Sequence, residues 1–111
     1  MSSSSGATSP LVVEIDPELA DLIPGYLSAR RAEIPRLEEA LHRQDFDLIE
    51  SLGHKMRGTG ASYGFSNLSE LGLALEEAAQ RQAQDKIHAA ISQLRQYLER
   101  LQIKPLPSQP S

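Results

Sequence analysis

Apolar residues recur through most of this chain at three- and four-residue steps, a spacing that predicts helices rather than strands. Phe46, Leu48, Ile49, Leu52, Met56, Gly60 and Tyr63 fall on one side of a helix. Leu68, Leu71, Leu75 and Ala78/Ala79 mark a second stripe, and Ile87, Ile91, Leu94, Leu98 and Leu101 a third, cleaner one. Upstream, Leu27, Ile34, Leu37 and Leu41 keep helical spacing from about Tyr26 to Arg43. Pro35 sits inside that pattern and predicts a kink or a break after Glu33. Only LVVEI, Leu11 to Ile15, reads as extended.

Helix start and stop residues divide the chain further. Asp16-Pro17-Glu18 is an N-cap followed by proline at the first helical position. It opens a short piece with Leu19, Leu22 and Ile23 on its apolar side, which Pro24-Gly25 interrupts or kinks. Asp45 caps the next helix, from Phe46 to about Tyr63, and Gly64 supplies its left-handed stop. The third starts after Ser66 and runs to about Ala83, and the fourth is capped by Asp85 and runs to about Ile103. Linkers this short make consecutive helices antiparallel neighbours. The expected fold is all-α: an antiparallel up-down-up-down four-helix bundle with a short extra N-terminal helical segment, spanning residues 11–103. Flexible tails are expected at residues 1–10, which are serine-rich, and at residues 104–111, which are proline-rich.

Composition narrows the function without naming it. The chain has 111 residues, one domain's length, and no cysteine, which removes disulfide frameworks, zinc knuckles and thiol catalysis. A net charge of −4 argues against nucleic acid as the main partner. No apolar run approaches the roughly 20 residues that span a bilayer, and no signal peptide opens the chain, so the expected setting is cytoplasmic and without a membrane partner.

The chemistry concentrates in LGHKMRGTGASYGF, Leu52 to Phe65. At about 100° per residue, His54 points away from the apolar side of its helix and towards solvent. Asp47, Glu50, Ser51, Arg57, Gly58 and Ala61 surround it on the wheel. Glycine in an exposed helix costs roughly 0.5–1 kcal/mol against alanine, so Gly58, one turn after the histidine, calls for a reason. A steric one suffices: a partner approaches His54 from that side and a side chain there would block it. Arg57 is placed to reach back to a phosphoryl group on the imidazole, with Lys55 on the flank. Neutral imidazole is nucleophilic near physiological pH and its phosphoramidate donates readily to a carboxylate.

His54-Lys55-Met56-Arg57-Gly58-Thr59-Gly60-Ala61 resembles the motif of histidine-containing phosphotransfer (HPt) domains. There the phosphorylated histidine is followed by a cation at the third position and glycine at the fourth. Asp45-Phe46, Tyr63-Gly64-Phe65, Leu68-Ser69-Glu70-Leu71-Gly72 and Leu75-Glu76-Glu77-Ala78-Ala79 look like the family's frame, and the resemblance runs from about Leu22 to Leu101. It implies a four-helix bundle that relays phosphoryl groups between receiver-domain aspartates, with no ATP site and no kinase activity. His54 would be the phosphoryl acceptor and donor, Arg57 the supporting cation and Gly58 the close-approach position. A Glu or Gln on the next helix holds the unreactive ring nitrogen in several relatives. Glu76 matches that position, or Glu77 if the helix is rotated. Implied partners are response-regulator receiver domains and a hybrid histidine kinase. The chain itself is expected to be a monomer with no bound cofactor, the magnesium being carried by the receiver. Ser51 and Ala61, with Leu22, Ile23 and Tyr26 from the first segment, would form the docking face.

Plainer readings remain beside this one. A surface histidine is usually just solvated, and His42 and His88 fit that description. Gly53, Gly60 and Gly72 read as packing glycines. No two histidines share the spacing of a helical metal site, so no metal site is expected. The alternative function is a helical interaction module that binds a receiver or another signalling partner without carrying phosphate. A small hydrolase is a poor third, since no triad, paired-carboxylate or metal constellation is present. The short tails favour a free-standing protein over a domain cut from a kinase.

Overall fold

The computed structural model describes residues 11–105. The expected N-terminal tail and residues 106–111 lie outside it. Two short strands, β1 (Leu11–Ile15) and β2 (Leu101–Pro105), flank four helices: α1 (Ile23–Arg43), α2 (Phe46–Tyr63), α3 (Ser66–Gln80) and α4 (Gln84–Arg100). A 3-10 turn at Pro17–Leu19 stands before α1, with Asp16 accepting a hydrogen bond from the Glu18 amide at 2.9 Å. Each helix packs on the next and α1 packs on α4, which closes the four into a bundle. The all-α bundle expected from the apolar periodicity is therefore the fold.

The local signals explain most of the boundaries. Asp45 caps α2 by accepting from the Leu48 amide at 3.2 Å. Gly64, at φ 86°, ends it, and the Phe65 amide returns to the Gly60 carbonyl at 2.7 Å. Pro24-Gly25 does not interrupt a helix. Pro24 occupies the first turn of α1, where its missing N–H costs nothing. Pro35 does not break α1 either. The carbonyl its ring leaves without a donor belongs to Arg31, which is exposed and open to water.

Further boundaries differ from the sequence reading. Helix α3 stops at Gln80 rather than near Ala83, because Gln82 turns left-handed at φ 54° and the Ala83 amide closes onto the Ala78 carbonyl. Helix α4 then starts at Gln84, without a side-chain cap, and Asp85 lies inside its first turn. It ends at Arg100 rather than near Ile103, because Leu101 is extended and opens β2. That strand pairs in parallel with β1, Leu11 opposite Leu101 through Ile15 opposite Pro105. Lys104 and Pro105, expected in a flexible C-terminal tail, thus belong to this strand pair.

The core runs through all four helices, with Leu37, Ile49, Met56, Leu68, Leu75, Ile87 and Leu94 wholly enclosed. Between α2 and α3 the spacing is set by glycine. A Cβ on Gly72 would lie 2.4 Å from the Arg57 nitrogen and 2.6 Å from the Gly53 oxygen. One on Gly53 would lie 2.7 Å from the Gly72 oxygen and 2.8 Å from the Glu76 nitrogen. The two backbones touch here, and Gly60 makes a similar approach to Ser69, at 2.7 Å from its nitrogen.

Candidate functional site

The backbone contact at Gly53 and Gly72 brings the outer edges of α2 and α3 into register. As residue numbers rise along α2 they fall along α3. Gln80 donates to Glu50 at 2.8 Å, His54 Nδ1 lies 3.1 Å from Glu76 Oε2, and the Ser69 hydroxyl donates to the Arg57 carbonyl at 2.9 Å. His54 and Glu76 form the middle rung of this ladder.

The His54 side chain is 62% exposed, whereas that of Glu76 is 13% exposed. Glu76 is therefore a carboxylate anchored in the seam and His54 a ring standing on top of it. Glu77 is exposed, and Glu76 is the residue that reaches the ring. Side chains on a helix lean towards its N-terminus, so Arg57 leans back over the previous turn. Its Nη2 lies 3.2 Å from His54 Nδ1 and its Nε 3.2 Å from Glu76 Oε1. The carboxylate, the guanidinium and one ring nitrogen thus meet at a single point. No hydrogen bond among the described residues engages the other ring nitrogen, Nε2.

Glu76 Oε2 can only accept and Arg57 Nη2 can only donate, so a neutral ring protonated on Nδ1 bonds the carboxylate and one protonated on Nε2 bonds the guanidinium. With the proton on Nδ1 the lone pair is on Nε2, the arrangement of a nucleophile that needs no separate base and whose cationic product the Glu76 carboxylate would balance.

Gly58 is exposed, and a Cβ there would meet nothing within 4 Å, so neither packing nor a left-handed φ accounts for the glycine. Lys55 is exposed beside His54 and forms no ion pair among the described residues; its carbonyl accepts from the Thr59 hydroxyl at 2.9 Å. Ser51 and Ala61 are exposed on the same helix. The first segment departs from the expected docking face. Leu22 is 54% exposed, but Ile23 is 1% and Tyr26 8% exposed. Both turn inward because α1 already begins at Ile23, so Ile23, Tyr26 and Leu27 point into the bundle. Tyr26 stacks on Phe65 and packs against Tyr63, with ring centroids 5.8 and 4.6 Å apart. Its hydroxyl pairs with that of Thr59 at 3.0 Å.

Sequence reasoning missed two sets of residues. Ser69 and Gln80 hold α3 to the polar edge of α2, yet they read as ordinary surface positions. The Arg30–Glu33 pair, at 2.7 Å and largely buried, lies beside Tyr26 and Thr59: the Arg30 guanidinium is 4.7 Å from the Tyr26 ring centroid and donates to the Thr59 hydroxyl at 3.4 Å. Its i, i+3 spacing was visible, but its burial was not. His42 and His88 are both exposed, and no group of three or more His, Asp or Glu among the described residues is placed to hold a metal ion.

A four-helix bundle in which an exposed histidine is backed by a carboxylate and an arginine is the form of a phosphoryl carrier. A family model described as the Hpt domain matches residues 15–104, and the chain belongs to that family. Its members are phosphorelay carriers of two-component signalling, without kinase activity of their own, and they interact with receiver domains and kinases. No curated protein and no solved structure matches the chain. No helix among the described residues is long and apolar enough to cross a membrane.

Proposed function

We propose that His54 is the phosphorylated residue and that it passes phosphoryl groups between receiver-domain aspartates. The observation that supports this most is the exposed ring whose Nδ1 faces Glu76 and whose Nε2 is open. In the forward step the Nε2 lone pair attacks the phosphorus of an aspartyl phosphate. The N–P bond forms as the P–O bond breaks, and the aspartate leaves as a carboxylate with the bonding electrons. No proton has to leave, since Nδ1–H is retained and Glu76 balances the ring. Arg57 neutralises the phosphoryl oxygens, with Lys55 adding positive field at the flank. The receiver supplies the magnesium, and this chain supplies a positioned nucleophile. Gly58, Ser51, Ala61 and exposed Leu22 lie where a receiver docks. The setting proposed is cytoplasmic and the working form a monomer.

The test is incubation with phosphorylated receiver domains, followed by intact mass and by acid treatment. The expected result is one acid-labile phosphoryl group, lost in the His54→Gln variant while receiver binding persists. Unchanged labelling of that variant sinks the His54 assignment. Binding without labelling of the native chain points instead to an interaction module.

A further inference from the structure

The Arg30–Glu33 pair touches nothing at His54, and its stability gives it no evident reason to be buried. The Glu33 side chain is 9% exposed and that of Arg30 12%, and Arg30 Nη2 donates to Glu33 Oε2 at 2.7 Å. Arg30 Nε and Glu33 Oε1 are left buried without a hydrogen-bond partner among the described residues. A buried ion pair this incompletely satisfied is often no better for stability than two apolar side chains of the same volume. The other arm of the guanidinium goes to α2. Arg30 Nη1 donates to the Thr59 hydroxyl at 3.4 Å, and the Tyr26 hydroxyl lies 3.0 Å from the same oxygen. Thr59 has one proton to give, and gives it to the Lys55 carbonyl at 2.9 Å. Both of its acceptor sites are therefore filled from α1, with Tyr26 and Arg30 as the donors.

Thr59 stands between Gly58 and Gly60, in the part of α2 that follows His54. Two glycines in three residues weaken a helix, and a weak stretch opens first unless contacts outside the helix hold it. On the α3 side those contacts are the Ser69 hydroxyl on the Arg57 carbonyl at 2.9 Å and the close backbone approach at Gly60. On the α1 side they are the hydrogen bonds from Arg30 and Tyr26 to Thr59. Thr59 and the Lys55 carbonyl it grips bracket Arg57 and Gly58. We propose that Arg30 is a positioning residue for phosphotransfer: through Thr59 it holds the turn that carries Arg57 and Gly58, and Glu33 keeps its guanidinium aimed there. The inference rests on the assignment of His54 above. Arg30 touches no reacting atom. It fixes where Arg57 starts from and how closely a receiver approaches past Gly58.

Amide hydrogen exchange and single-turnover transfer from a phosphorylated receiver, both on the full chain, test this together. Arg30→Met alone would strand Glu33 as a buried unpaired charge, so the pair is exchanged whole, as Arg30→Met/Glu33→Leu. Thr59→Val keeps the shape of the threonine and removes its hydroxyl, whereas Thr59→Ser keeps the hydroxyl. In the double variant and in Thr59→Val, the amides of residues 58–61 are expected to exchange roughly tenfold faster or more, with those of residues 49–53 unchanged. The maximal transfer rate is expected to fall roughly tenfold in both, while the half-saturating receiver concentration changes by less than about threefold. Thr59→Ser is expected to stay within about twofold of the native chain on each measure. A folded double variant that exchanges and transfers like the native chain overturns the proposal. Faster exchange at native transfer rates overturns it too, since the pair would then be a structural anchor alone. If the double variant does not fold, Thr59→Val decides by the same two measurements. A native chain that takes no phosphoryl group from any receiver refutes the function itself, whatever the exchange pattern around Thr59.

Discussion

At the scale of single residues, Gly58 separates stability from function more cleanly than any other position. It lies inside α2 with a helical φ, is exposed, and an added Cβ meets nothing within 4 Å. Gly58→Ala should therefore stabilise the protein by about 0.5–1 kcal/mol, a rise of a few degrees in melting temperature. A bulky side chain is as harmless to the fold but stands one turn from His54. Gly58→Leu should keep or raise the melting temperature while slowing phosphotransfer from a receiver by roughly tenfold or more. Equal transfer rates in Gly58→Leu and the native chain, measured at matched concentrations, would remove the steric reading of this glycine. The His54, Arg57 and Gly58 spacing was legible in the sequence because all three belong to one helix, where geometry follows from number. The contact of His54 with Glu76 rather than Glu77 was not. It depends on how α3 is rotated against α2, which no single stripe of leucines decides.

At the scale of elements, the rotation of α3 follows from the glycines of the seam. Gly53 and Gly72 were readable as packing glycines, but what they position became visible only with both backbones in place. An added methyl on Gly72 points at the Arg57 nitrogen 2.4 Å away, and backbone cannot swing aside as a side chain would. Gly72→Ala should cost roughly 1–3 kcal/mol in chemical denaturation and widen the gap that Glu76 spans to His54. Because Gly53 lies across the same contact, the Gly53→Ala/Gly72→Ala pair should lose less than the sum of the two single losses. An additive double variant would mean that the two glycines do not share one contact. The missed end of α3 has an equally local cause. Gln44 and Gln82 occupy left-handed positions, at φ 59° and 54°, where glycine is the usual signal. Glutamine carries no such signal, so the end of α3 was read too late. Gln82→Gly should raise stability by a few tenths to about 1 kcal/mol, and a loss on thermal melting would show that the side chain contributes something the backbone does not reveal.

At the scale of the whole molecule, the four helices were legible because burial imposes a 3.6-residue period on each. Leu11 to Ile15 was legible as an extended segment, but its pairing was not, because parallel partners 90 residues apart, as Leu11 and Leu101 are, leave no local trace of each other. Leu101 in particular continues the apolar seam of α4 in sequence while leaving the helix in space. The ring cluster that draws α1 and α2 together is of the same non-local kind. Tyr26 of α1 meets Tyr63 at the end of α2 and Phe65 just beyond it, while Tyr97 of α4 is 6% exposed. Burial, and after it the Tyr26 phenol, push the Tyr97 hydroxyl up to about 12. The unfolded chain ionises this phenol near the ordinary tyrosine value of about 10, so between the two values the unfolded state binds fewer protons. Stability from this group is therefore complete below about pH 10 and lost as pH rises towards 12. Denaturation in urea at stepped alkaline pH should show the native chain losing on the order of 1–2 kcal/mol more than Tyr97→Phe across that range. The two proteins should show no such divergence between pH 7 and 9, where the phenol is neutral in both states. Parallel alkaline slopes for the native chain and Tyr97→Phe would mean that the phenol ionises in the fold as easily as in water, and that the bundle opens at this cluster before it unfolds.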